Sequence, residues 1–324
     1  MRAGISTKVT AVGAAGVLLA ALGGCAGDTA GEDSGVQVVT SVYPLEWLAS
    51  RIGGEGVTVT NLTEAGTDPH EAELSPRQIG TIGDADLVVH IGGMQPAVDE
   101  AVAQHAEDSA LDAAEVVDLL QIPEDGHEEH SEEGHSEEEH AEEGHAEEEH
   151  GGTDPHLWLD TDRMTAVAGE LTDRLSEADP DSAATYRDNH DAVVAELAEL
   201  GSAYGDGLAG CERRELVVTH AAFGYLAEAH GLEQISVTGA DSHAEPSPAQ
   251  IAEVVHAVEE HGATTIFTSP LESPSLAETV ADEAGIGIAV LDPLESLTEE
   301  SPGTDYPSVM RANLDALTTA LECS

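Results

Sequence analysis

Short apolar runs separated by helix-length stretches recur along the chain, and that alternation restricts the fold more than any other feature. Residues 36–42 read as a strand and 44–52 as a helix. A second strand spans 57–62, and 76–83 is a short helix with proline in its first turn. Residues 86–91 form a buried strand, 95–105 a helix and 115–119 a further strand. After one interruption the rhythm resumes, with strands at 216–219, 234–238, 264–268 and 286–291. Helices are expected at 223–230, 248–261, 274–284 and 306–321. Strands that alternate with helices predict an α/β chain of two lobes, each a mostly parallel sheet with flanking helices. Ligands of such lobes are expected where strand ends face each other.

The interruption carries its own information. Residues 124–150 are almost wholly Glu, His, Gly and Ala, and G-H-S-E-E-E-H recurs there as G-H-A-E-E-E-H. With no apolar side chains to bury, this stretch is expected to be a disordered surface loop. It carries His127, His130, His135, His140, His145 and His150. Helices over 161–178 and 180–204 follow, divided at Asp179-Pro180. The second bears a helix-spaced apolar stripe of Val193, Val194, Leu197 and Leu200 and can join two lobes. The expected organisation is an N-terminal lobe over 36–160, connecting helices over 161–209 and a C-terminal lobe over 210–324.

The first residues read as export and attachment signals. Arg2 and Lys8 make a small basic region ahead of an apolar or small, uncharged run over 9–22, too short for a bilayer span but suited to a secretory signal. It ends Leu22-Gly23-Gly24-Cys25, and small residues before a cysteine resemble a bacterial lipobox. The expectation is a signal peptide over 1–24, lipid on Cys25, a flexible tether over 25–35 and a location on the outer face of the cell membrane. Cys211 and Cys323 remain. Outside the cytoplasm an even pair suggests a disulfide, which would pin the last helix to the second lobe; two free thiols are the alternative. With 10 basic and 65 acidic residues the net charge is −55. Such a surface repels nucleic acid and anionic lipid headgroups and attracts cations.

Three histidines stand at strand-loop junctions: His70 in T-D-P-H-E-A-E-L-S-P, His156 in T-D-P-H-L-W-L-D and His220 in V-V-T-H-A-A-F-G-Y. Proline fixes its own φ and restricts the residue before it, so each D-P-H triplet can aim an imidazole rigidly. Asp68 and Asp154 either orient N–H groups near those rings or form Asx turns. Three imidazoles converging on one ion suit Zn²⁺. Asp292, in V-L-D-P-L-E, follows the last strand and is the favoured fourth donor, with Glu71 or water as alternatives. Its competing role is a turn before Pro293.

Together these segments resemble the zinc-specific, Znu-type substrate-binding subunits of bacterial ABC importers, members of the cluster A-I metal-binding family. The resemblance runs from about Val36 to Leu321 and includes E-P-S-P-A-Q-I. It implies Rossmann-like lobes joined by a long rigid helix, and His70, His156 and His220 as ligands with Asp292 entering from the C-terminal lobe. It also implies delivery of Zn²⁺ to a membrane permease by what is expected to be a monomer. Glu71 and Ala72 stand where relatives often carry an aromatic, and His243 is an unusual addition. Manganese relatives tend to carry a carboxylate at the third position; His220 shifts the balance to nitrogen and so to zinc. The competing readings are a manganese receptor or adhesin on the same fold and, less favoured, a zinc hydrolase. Against the hydrolase, the chain has no H-E-x-x-H and no evident general base on a ligand helix.

Overall fold

The computed structural model describes residues 35–122, 152–239 and 246–324. The leader with Cys25, nearly all of the tether, the six histidines of 124–150 and His243 lie outside the described residues.

Each lobe is built from four short strands, of which the inner ones are buried on both faces, as strands of a covered parallel sheet must be. In the first lobe these are β1 (Val36–Thr40), β2 (Val57–Asn61), β3 (Leu87–His90) and β4 (Ala110–Asp112). They pair in the order β2-β1-β3-β4, all parallel. In the second, β5 (Glu215–Val218), β6 (Glu233–Ser236), β7 (Thr265–Thr268) and β8 (Gly287–Val290) pair as β6-β5-β7-β8, again all parallel. Both lobes thus repeat one strand order, and in both the order reverses beside the first strand, which opens a crevice at the carboxyl ends.

The helices begin where local chemistry dictates. α1 (Tyr43–Gly53) and α3 (Pro96–His105) carry proline in the first turn. α2 (Pro76–Gly83) and α7 (Pro248–His261) open on the same signal, S-P-x-Q. In each, the serine oxygen accepts the N–H of the glutamine three residues on and the glutamine returns the bond, a capping box. α4 (Thr161–Ala178) is capped by Asp160. α5 (Ala183–Leu208) buries Val193, Leu197, Leu200, Tyr204 and Leu208 along one face. α6 (Gly224–His230), α8 (Ser275–Ala284) and α9 (Tyr306–Ala320) complete the second lobe.

The expected strand over 115–119 is the one element that differs in kind. The fourth strand is β4, and Ala113–Glu115 is a 3-10 turn. Asp112 accepts the N–H of Ala114 at 2.9 Å and turns the chain out of the sheet. Val116, Val117 and Leu119 then pack on the core without joining the ladder.

α5 lies against α1 of the first lobe and α9 of the second, and one apolar core runs through both lobes. Trp47 of α1 stacks on Tyr306 of α9 with ring centroids 4.7 Å apart. Trp158 Nε1 donates to the Pro293 carbonyl at 2.7 Å. A disulfide joins Cys211 to Cys323 and so ties the segment after α5 to the segment after α9. No helix among the described residues is long and apolar enough to cross a membrane.

Candidate metal centre

The D-P-H triplets fold alike. Asp68 Oδ1 accepts the His70 N–H at 2.8 Å, and Asp154 Oδ1 accepts the His156 N–H at 2.9 Å. Each aspartate closes an Asx turn whose third residue is the histidine, and proline between them leaves no freedom in φ. His70 is carried after β2, with the Pro69 carbonyl held by buried Gln95 at 3.1 Å. His156 leads into a 3-10 turn, Leu157–Leu159. Asp154 Oδ1 also sits 2.8 Å from His156 Nδ1. A carboxylate only accepts, so Asp154 keeps a proton on Nδ1 and leaves Nε2 as the ring atom that faces inward.

Asp154 is in turn fixed by the second lobe. Tyr225 of α6 donates its hydroxyl to the Asp154 carbonyl at 2.6 Å and accepts the Leu120 N–H at 3.1 Å. Gly224 is required beside it, because a Cβ there would stand 2.6 Å from Asp154 Oδ2.

His220 lies two residues beyond the end of β5 and is 2% exposed. Its Nδ1 sits 2.6 Å from Glu272 Oε1, a close ion-pair contact without hydrogen-bond alignment. Glu272 Oε2 accepts the Thr219 hydroxyl. A carboxylate at Nδ1 favours the ring proton there and leaves Nε2 for the cleft.

The carboxylate at the centre is Glu295, in the loop between β8 and α9. Its Oε1 lies 3.2 Å from His70 Nε2, 3.0 Å from His156 Nε2 and 3.4 Å from His220 Nε2. His70 and His156 approach each other through Nε2 at 3.3 Å. Donors about 2.0–2.1 Å from a tetrahedral Zn²⁺ stand roughly 3.3 Å apart, so these separations are those of a tetrahedron's edges. His70, His156 and Glu295 offer atoms all within 4.8 Å of one another, the one such group among the described residues. His220 meets the group at Glu295, and its buried Nε2 makes no hydrogen bond. An aimed, unpartnered imidazole nitrogen fits a cation better than it fits a finished core.

Asp292 does not occupy the centre. Its Oδ1 accepts the Leu294 N–H at 2.8 Å, the turn role, and the carboxylate three residues later reaches the imidazoles. Glu71 is likewise outside the group of converging donors. Glu272 and Glu295 are the two site residues that the sequence reading passes over.

The electrostatics match a centre that holds protons when it holds no metal. Burial alone would raise the Glu295 carboxyl pKa, but the imidazoles of His156, His220 and His70 overcome it and hold it well below the usual range. Burial works against charge on His156 too, and Asp154 and Glu295 outweigh it, so its pKa is raised. For His220 burial is opposed by Glu272 and Glu295, and the ring is pushed up to about 10.

Two parallel-sheet lobes with buried imidazoles and a carboxylate converging between strand ends define a two-lobed, metal-site binding protein of the α/β class. A family model, ZnuA, zinc-uptake complex component A periplasmic, matches residues 38–320, and the chain belongs to this family. The zinc-binding lipoprotein AdcA of Streptococcus pneumoniae is 36% identical over 292 residues, which cover 88% of this chain and 56% of AdcA. The chain thus spans just over half the length of the streptococcal relatives it matches. The high-affinity zinc uptake system protein ZnuA of Bacillus subtilis is 32% identical over 94% of each chain. The crystal structure of the Zn(II)-bound ZnuA-like domain of S. pneumoniae AdcA is similar in fold, with a TM-score of 0.71 and 32% identity. That similarity covers 89% of this chain and 100% of the domain.

Proposed function

We propose that this chain captures Zn²⁺ between its lobes with His70, His156, His220 and Glu295 and delivers it to the membrane permease of an ABC importer. The observation that carries the reading is the trio of His70, His156 and Glu295 at tetrahedral edge lengths from one another, with His220 meeting Glu295 from the second lobe. Three nitrogens and one oxygen suit Zn²⁺ better than Mn²⁺, which prefers oxygen-rich sites of higher coordination. His70, the most exposed of the donors at 13% of its side chain, marks the entry side. The zinc-binding names of the relatives support the ion, and the word lipoprotein in one of them supports attachment through Cys25. The reading is one of binding and release, with no chemical step. Anomalous diffraction at the zinc edge, on protein purified without added metal, tests it: a peak bonded to these four side chains is expected. A peak elsewhere, or none after zinc soaking, overturns it.

Protons and metal compete for the same lone pairs. His156 and His220 have raised pKa values, so the metal-free site stays protonated above the ordinary histidine value of about 6.5. Zinc must displace those protons, so affinity rises with pH. The rise approaches tenfold per pH unit for each proton displaced between about pH 6 and 9. The sign for metal-free stability is opposite. A raised histidine pKa stabilises fully below about 6.5, and that contribution fades as pH climbs toward about 10. The depressed Glu295 stabilises above 4.5 and loses its contribution only as pH falls through its folded value. Chelator competition across this range checks the first trend, and a flat affinity profile would exclude imidazole donors.

The histidines of 124–150 are proposed to collect Zn²⁺ at modest affinity, since ordering dispersed side chains costs entropy. Deleting 124–150 is expected to lower the number of bound ions while one tight site remains. Unchanged stoichiometry in an equilibrium titration rejects the collecting role.

A further inference from the structure

Glu295 stands on a loop, yet every residue beside it is held. Asn313 of α9, 1% exposed, grips the backbone of Asp292 from both sides. Its Oδ1 accepts the Asp292 N–H at 3.0 Å, and its Nδ2 donates to the Asp292 carbonyl at 2.7 Å. Asp292 Oδ1 then accepts the Leu294 N–H at 2.8 Å. That bond closes a turn in which Leu294 takes φ 62, a left-handed conformation rare for a bulky side chain, with the side chain wholly buried. Beyond the ligand, Ser296 Oγ accepts the Gly66 N–H at 2.8 Å, which fastens the loop to the first lobe.

A left-handed residue reverses the direction of the chain, so the residue after it projects where an extended loop would not send it. Residues in such sparsely populated conformations persist only where the surroundings over-determine them, and they gather at ligand sites. Asp292 is outside the group of converging donors, and its Oδ1 is committed to the Leu294 N–H. We propose that Asp292, Leu294 and Asn313 form the device that positions Glu295, with Asp292 acting as a hydrogen-bond acceptor and not as a metal donor. The proposal rests on the zinc reading above. Its consequence is specificity: a carboxylate held at one place favours four-coordinate Zn²⁺, whereas a slack loop admits ions that take more donors.

The test uses the full chain and Zn²⁺ itself, with affinity read by chelator competition and coordination by the absorption spectrum of the Co²⁺ form. An Asp292→Asn side chain still accepts the Leu294 N–H but is a poor zinc donor. It is expected to bind Zn²⁺ within about threefold of the parent and to keep the intense spectrum of four-coordinate Co²⁺. Asp292→Ala and Asn313→Ala lose the turn or its anchor. They are expected to bind about 10–100-fold more weakly, the usual cost of an outer partner, with a fainter Co²⁺ spectrum of higher coordination. If Asp292→Asn falls as far as Glu295→Gln, Asp292 is a donor and the proposal fails. Parental affinity in both alanine variants also overturns it. Should the alanine variants not fold, the comparison of Asp292→Asn with Glu295→Gln decides alone. A parent chain that binds no Zn²⁺ instead overturns the functional reading, a result distinct from any ranking of variants.

Discussion

Replacing Glu295 by alanine is expected to weaken Zn²⁺ binding by more than about 100-fold, beyond the ~10–100-fold that loss of an outer partner costs. Among the described residues Glu295 is the one carboxylate within reach of all three imidazoles, and it is 1% exposed. In so dry a place its charge is poorly screened, so it does more to attract a divalent ion than a surface carboxylate would. Its removal also empties the centre of the site without giving the imidazoles a substitute acceptor. His156 and His220 would then lose part of what keeps their pKa values raised and would shed protons nearer to neutrality. The metal-free variant should therefore be destabilised less than a broken buried ion pair usually is, because the imidazoles can discharge. A paired measurement separates the two effects. Zinc at 100 times its Kd stabilises the parent by about 2.7 kcal/mol, and the variant should show little of that gain at the same zinc concentration. Glu295→Ala with parental affinity and a parental thermal shift would remove Glu295 from the metal centre.

Much of the fold could be read from the chain because its signals are local. Parallel strands buried on both faces read as apolar runs, and β1, β3 and β7 fall inside the predicted ones, with β5 shifted by one residue. The S-P-R-Q and S-P-A-Q segments set the starts of α2 and α7 through capping boxes that need no tertiary help. β4 escaped because three residues, Ala-Leu-Asp, are too few to show a period, and the more apolar stretch after them attracted the assignment. The site divides in the same way. Each D-P-H histidine is aimed by its own aspartate, so sequence proximity was enough. Glu295 depends on Asn313, which holds Asp292 from 21 residues away in sequence, and on the left-handed Leu294, and neither leaves a trace in the local pattern. One signal was nonetheless present. In all three Asp-Pro-x triplets of the site, Asp Oδ1 accepts the N–H of the third residue. An aspartate before proline is thus already committed to its own turn, and the next carboxylate in D-P-L-E is the one left to reach inward.

Removing the disulfide should cost much stability and almost no zinc affinity. Cys211 and Cys323 are separated by 112 residues. Closing a loop of that length restrains the unfolded chain by about 4–5 kcal/mol in the chain-entropy model. For a chain of this size, that corresponds to a fall in Tm of roughly 6–8 °C in the Cys211→Ser, Cys323→Ser double variant. The bond sits far from the metal centre along the sheet. Cys211 precedes β5, whereas His220 follows it, so the strand's length separates the two. Arg213 N–H donates to the Leu321 carbonyl at 3.2 Å beside the bridge, and this contact should survive loss of the sulfurs. Asn313, which anchors the Glu295 loop, lies a further ten residues up α9 and is held by its own burial. Zinc affinity in the double variant is therefore expected within about twofold of the parent at temperatures well below its melting point. The decisive comparison is calorimetric melting beside chelator competition on the same samples. An unchanged Tm would mean the denatured chain gains no freedom from opening this loop, and a large loss of affinity at unchanged Tm would place the disulfide in the binding apparatus instead of the scaffold.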